Sequence, residues 1–195
     1  MRKASIIITT IAICLTGCTY KSEEKPKLSD SYNIGDEITL ADIKFNVCKI
    51  DDFNSQLYLW AQDSITTTKY SDGNHQGSYV HSYEGSIVED YVDKFVEGLE
   101  QNGVGVISSG LIDEKDLYKL GFEHSDGLSG RPYHYTGEYD FISPDESFWV
   151  GGYCKYETMS WVYYHGYLDP DSCDEEYDLR PVIVISPAKN EDKPA

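Results

Sequence analysis

The chain has 195 residues, with 34 acidic side chains against 16 Lys and Arg, a formal net charge of −18 and a sequence pI of about 4.4. An acidic excess of this size repels phosphate backbones and anionic headgroups, so nucleic acid is excluded as an expected partner. The length allows one domain with a sizeable core and hardly two, and 17 Tyr beside 6 Phe and 3 Trp suit a β-rich domain or a contact surface, with buried rings and wet hydroxyls.

Arg2 and Lys3 precede the apolar run 4–15, which closes on Leu15-Thr16-Gly17-Cys18. A basic start, a short apolar core and small residues before a cut are the parts of a secretory signal peptide. The run is shorter than the roughly 18 to 20 apolar residues that a membrane-spanning helix needs. With the cysteine in place, the segment resembles the lipobox of bacterial lipoproteins. An ordinary cleaved signal and an uncleaved anchor are the competing readings. The resemblance implies a signal peptide over 1–17, removed before Cys18, and a lipid on the Cys18 thiol that anchors the mature chain to a bacterial membrane outside the cytoplasm. Each buried methylene adds about 0.8 kcal/mol, so two or three acyl chains on Cys18 make the attachment effectively permanent.

Residues 18–31 are polar and charged, are interrupted by Pro26, and have no apolar period; they read as a lipidated flexible tether. A single domain over 32–187 follows, with a disordered tail over 188–195. Alternation predicts short strands over 37–40, 44–50 and 56–61, an antiparallel meander. Ser86 with Glu89 three residues on signals a helix start. Ile87, Val88, Tyr91, Val92, Phe95, Val96 and Leu99 recur at helical spacing until Asn102-Gly103. Asp113 predicts the cap of a second, shorter helix carrying Leu117 and Leu120, with Gly121 as its stop. Residues 122–146 lose periodicity and predict a long irregular excursion, a feature that is usually functional or disordered. Three further β-like runs cover 147–154, 158–164 and 179–186. The order is an α+β pattern and not a βαβ wind.

Cys48, Cys154 and Cys173 follow Cys18. Cys154 and Cys173 bracket a predicted hairpin and form a candidate disulfide in an oxidising compartment, and paired and reduced states both stay open.

Ser147-Phe148-Trp149-Val150, Met159-Ser160-Trp161-Val162-Tyr163-Tyr164, the turn His165-Gly166-Tyr167-Leu168 and the ending Asp178-Leu179-Arg180-Pro181-Val182-Ile183-Val184-Ile185 resemble an uncharacterised domain common in secreted bacterial proteins. So do the opening Tyr32-Asn33-Ile34-Gly35-Asp36 and Tyr83-Glu84-Gly85-Ser86-Ile87 before the first helix. That domain is similar to the C-type-lectin-like and formylglycine-generating-enzyme-like folds. The resemblance implies antiparallel sheets with two helices and long irregular loops, with the first and last strands paired. Arg180 then has a structural role, its donors spent on loop carbonyls or a buried carboxylate.

Asp169, Asp171 and Asp174 offer hard oxygens on a turn-rich loop. They are candidate ligands for Ca²⁺, which lectin-like relatives often hold, although the run lacks the Gly and Glu of an EF-hand loop and also reads as a solvated acidic turn. Trp149, Tyr153, Trp161 and Tyr164 are candidate ligand-binding aromatics, suited to stacking on a sugar or anchoring a protein, with core packing as the alternative for each. No catalytic residue stands out. The five histidines lack zinc-site spacing, no G-x-S-x-G elbow is present, and Cys154 and Cys173 are too far apart for the close pair of a copper oxidase. The expected function is non-enzymatic binding of a protein or glycan at the cell envelope, without a cofactor unless calcium binds. An envelope enzyme or modifying factor of the formylglycine-generating-like fold and a structural accessory domain are the alternatives.

Overall fold

The computed structural model describes residues 27–71, 83–124, 133–152 and 159–187. Alternation in the N-terminal third produces β1 (Glu37–Leu40), β2 (Ile43–Asp51) and β3 (Gln56–Ala61), an antiparallel meander. Ala41 and Asp42, both at positive φ, make the two-residue turn between β1 and β2, a geometry whose twist matches that of the strands it joins. Phe45, Val47, Leu57, Leu59 and Ala61 fill one core cluster, while Tyr58 and Trp60 point to the opposite one. Cys48 faces the Trp60 side by alternation, and a register shift after Val47 sets Lys49 opposite Tyr58 and returns Ile50 to the cluster of Phe45 and Val47.

The closing strand β12 (Pro181–Ile185) lies between β3 and β5 (Val106–Leu111), giving the order β1-β2-β3-β12-β5. The expected pairing of the first and last strands is therefore corrected. All five residues of β12 are buried and take the sheet interior, whereas β1 alternates exposed and half-buried positions and forms an edge. Both ends of the domain nevertheless meet in one sheet.

The second sheet holds β4 (Thr66–Lys69), β11 (Glu176–Leu179), β8 (Ser147–Val150), β9 (Met159–Tyr164), β10 (Tyr167–Ser172), β7 (Tyr133–Tyr135) and β6 (Phe122–His124), neighbouring in that order. Among the described strands β11 and β8 are the pair that runs parallel. β6 and β7 fall within the predicted irregular excursion, and β4, β5, β10 and β11 were not legible as strands.

Helix α1 (Ile87–Gln101) starts on Ser86, whose Oγ accepts the Glu89 amide at 3.1 Å, and Glu89 reaches back to the Gly85 amide at 2.6 Å. Val88 and Val92 pack with Trp149 and Val162 on the outer face of the second sheet, and Leu99 with Phe95 packs on the first. Helix α2 (Glu114–Tyr118) starts on Asp113, which accepts the Lys115 amide at 2.8 Å, and the chain leaves it through Gly121 at φ 89°. Between the sheets, Trp60 and Val182 meet Phe148, Val150, Tyr163 and Leu168. The α+β class with two helices holds.

The end of the predicted tether belongs to the folded unit. Leu28–Asp30 form a 3-10 turn, and the Ser29 amide and hydroxyl bond to Asp52 at 2.9 and 2.6 Å, with Leu28 against the core. The signal segment with Cys18, the rest of the tether and the tail lie outside the described residues. Among the described residues no helix is long and apolar enough to cross a membrane.

Candidate functional site

β11 ends at Leu179 and β12 begins at Pro181, so here the chain passes from the second sheet to the first across a single residue, Arg180. Pro181 has no N–H to give the ladder and disfavours helical backbone at the residue before it, which suits a strand start after a crossing. Arg180 is 3% exposed, and its Cζ lies 4.4 Å from the ring centroid of Trp60 and 5.4 Å from that of Phe148, one aromatic from each sheet.

Its polar atoms are spent on neighbours. Nε donates to the Ala61 carbonyl at 3.0 Å, Nη1 to Glu146 Oε2 at 2.6 Å and Nη2 to the Phe141 carbonyl at 3.3 Å, while its own carbonyl accepts Trp60 Nε1 at 3.1 Å. Burial pushes the guanidinium pKa down, opposed by the charges of Glu146 and Asp63; arginine remains protonated under such shifts.

Over this side chain opens a cleft of about 640 Å³. One wall comes from the first sheet and its approaches, with Ile34, Gly35, Asn46, Gln62 and Asp63; the other comes from the segment between β7 and β8, with Glu138, Tyr139, Asp140, Phe141 and Glu146. Arg180 pins that segment at Phe141 and Glu146. The segment is also held at its start, where Thr136 donates its amide and hydroxyl to the Gly121 carbonyl at 2.9 and 2.7 Å. The Tyr135 hydroxyl donates to the Tyr139 carbonyl at 2.6 Å and accepts the Tyr139 amide.

The lining sets four carboxylates against one guanidinium, and Glu146 is already paired with that guanidinium. Asn46 is 5% exposed and gives its Nδ2 to the Gly35 carbonyl at 3.0 Å, which orients the amide, and its Oδ1 is buried without a donor. Tyr139 and Phe141 stand 5.4 Å apart, and Phe141 meets Trp60 edge-on at 6.1 Å. The site is thus rich in acceptors and aromatic surface, with its single cation held in place.

The predicted aromatic site is not assembled. Trp149 is fully buried, donates Nε1 to the Thr68 carbonyl at 2.7 Å and packs against Tyr70 and Tyr177, so it is corrected from a ligand contact to core. Trp161 is half-buried on the opposite face of the sheet beside the central cluster, and Tyr164 is 40% exposed. Trp161 and Tyr163 face the central cluster under the first sheet and Val162 faces α1, so most of β9 is taken up by packing. Tyr153 lies outside the described residues.

The predicted calcium loop is also corrected. Asp169 and Asp171 sit on β10 rather than on a loop, Asp171 accepts the Tyr177 hydroxyl and the Ser172 amide, and Asp174 follows in a turn. Among the described residues no three His, Cys, Asp or Glu side chains converge to hold a metal. Cys173 is fully buried, while Cys154, its proposed partner, lies outside the described residues.

Sequence reasoning missed Asn46, Asp63, Glu138 and Asp140. The available signal was the irregular run 122–146, whose second half forms the cleft wall. Comparison of the chain with protein-family profiles, curated proteins and solved structures yields no match.

Proposed function

We propose that the protein is a lipid-anchored, non-enzymatic binding domain of a bacterial envelope, lectin-like in fold, which holds a protein or glycan ligand in the cleft over Arg180. The observation that carries the reading is that cleft. Its floor is bonded to both sheets and to the opposite wall, so the walls are fixed before a ligand arrives, and a preorganised concave site loses little entropy on binding. The lipobox resemblance ending on Cys18 supports the anchor. The lectin-like assignment rests on the N-terminal meander and the terminal Arg180-Pro181 strand sharing one sheet, together with the ordered motifs of the C-terminal third.

Two measurements test this reading. Metabolic labelling with a clickable fatty acid should mark the wild-type chain in the membrane fraction and fail in Cys18→Ser; equal labelling of both would remove the anchor. Carboxyl footprinting should find Asp63, Glu138 and Asp140 protected on intact cells and labelled on the purified chain. Equal labelling in the two states would remove the cleft as the binding site.

A further inference from the structure

Resting on the cleft as the binding site, we propose that its ligand presents an organic cation there: the guanidinium or primary ammonium head of an arginine- or lysine-type side chain, received by Asp63, Glu138, Asp140 and the Oδ1 of Asn46. Two independent observations converge on this chemistry. The first is charge: the lining sets four carboxylates against one guanidinium, which is bonded to Glu146 and also acted on by the charge of Asp63, so an excess of three negative charges remains. The second is Asn46. Its Oδ1 is an acceptor, buried and unpartnered, and the bond from its Nδ2 to the Gly35 carbonyl prevents an amide flip from turning a donor into that place. A buried acceptor without a donor costs about 1–3 kcal/mol, a cost that a ligand N–H recovers.

A bare metal ion fits poorly, because no three ligating side chains converge among the described residues and a fixed guanidinium occupies the floor. A neutral sugar would supply donors but leave the carboxylate charge unmatched. An alkyl guanidinium or ammonium supplies N–H donors and positive charge together, and its stem and head suit the rings of Tyr139 and Phe141. The cleft floor already holds one guanidinium in this way, with Arg180 over Trp60 and bonded to Glu146.

The test is an NMR titration of the isotope-labelled full chain in detergent micelles with N-acetyl-arginine amide, N-acetyl-lysine amide and the neutral isostere N-acetyl-citrulline amide. The two cations should give saturable shifts at Gly35, the Asn46 side-chain amide, Gln62 and Tyr139, with a Kd of about 1 mM for so small a probe. The citrulline analogue should bind at least about tenfold more weakly. Asp63 and Asp140 are both exposed, so Asp63→Asn/Asp140→Asn tests the carboxylates without disturbing the core and should weaken the cations about fivefold or more. Glu97→Gln/Glu100→Gln removes the same charge from exposed positions on α1 and should leave the affinity unchanged. Equal binding of citrulline and arginine analogues would overturn the cation and leave the cleft as a binding site. Shifts spread over the surface and equally reduced in both double variants would overturn it as general charge attraction. An absence of cleft shifts with all three probes would also overturn it, and footprinting on cells then decides the parent reading separately.

Discussion

Replacing Arg180 by alanine removes the fastener between the two sheets and the cleft wall. The Ala61 carbonyl is left without the Nε donor inside the fold, at about 1–3 kcal/mol. The Phe141 carbonyl lies at the cleft and rehydrates, so its share is about 0.5–1 kcal/mol. Glu146 is 36% exposed by side chain and is also rehydrated, which holds the loss of its pair to about 1 kcal/mol rather than the larger cost of a buried orphan charge. Stacking over Trp60 adds about 1 kcal/mol. The expected total is about 4 kcal/mol, a large part of the roughly 5–15 kcal/mol that holds a domain folded, and it corresponds to a fall in Tm of about 10 °C for a chain of this size. Arg180→Lys keeps the charge but loses the fork, and should recover about half of this. Thermal unfolding followed by circular dichroism measures both variants. A fall below about 3 °C for Arg180→Ala, or equal falls for the two variants, would refute the bonding argument.

Three further substitutions probe neighbouring features. Gly121 has φ 89°, and a Cβ there would stand 2.8 Å from Thr136 Oγ1 and 2.9 Å from Glu138 Cβ; Gly121→Ala should cost about 1–3 kcal/mol by chemical denaturation and shift the amides of 136–141, and an unperturbed loop would contradict that contact. Burial raises the pKa of Asp116, but its bonds from Lys119 and Lys49 outweigh burial and hold it below the usual carboxylate range. A carboxyl depressed on folding stabilises above its unfolded pKa of about 3.9 and loses that contribution as pH falls through the folded pKa. The stability gap between wild type and Asp116→Asn should therefore be full at neutral pH and close in acid below about pH 4; a gap that widens there would reverse the sign. Burial pushes the Cys48 thiol up to about 12, so Cys48→Ala should leave thiol titration of the native protein at pH 8 unchanged and lower the count by one in denaturant. A drop already visible in the native state would contradict the burial.

The elements legible in the sequence are those whose signal is local. Ser86 and Asp113 cap their helices where side-chain chemistry places them, and Leu57, Leu59 and Ala61 alternate with Tyr58 and Trp60 as one strand with two covered faces. Strand β4, a run of three Thr and a Lys, and β10, with Pro170 among acids, lack apolar alternation and become strands only through their partners, β11 for the first and β9 for the second. Trp149 misled because an aromatic at a strand position gives no sign of what covers it, and here α1 does. The cleft was illegible for a related reason: Asn46 and Asp63 on one side and Asp140 on the other are far apart along the chain and line one cleft because Arg180 ties the β7–β8 segment to the end of β3.

The most direct measurement of the central claim, that ligand is held in the cleft over Arg180 and not along the aromatic strand β9, is site-specific photocrosslinking in intact cells. Benzoylphenylalanine would replace Tyr139 in one full-length variant and the exposed Tyr164 in another. The account predicts an adduct from position 139 that excess N-acetyl-arginine amide suppresses, and none from position 164. An adduct from 164 with none from 139 would contradict it.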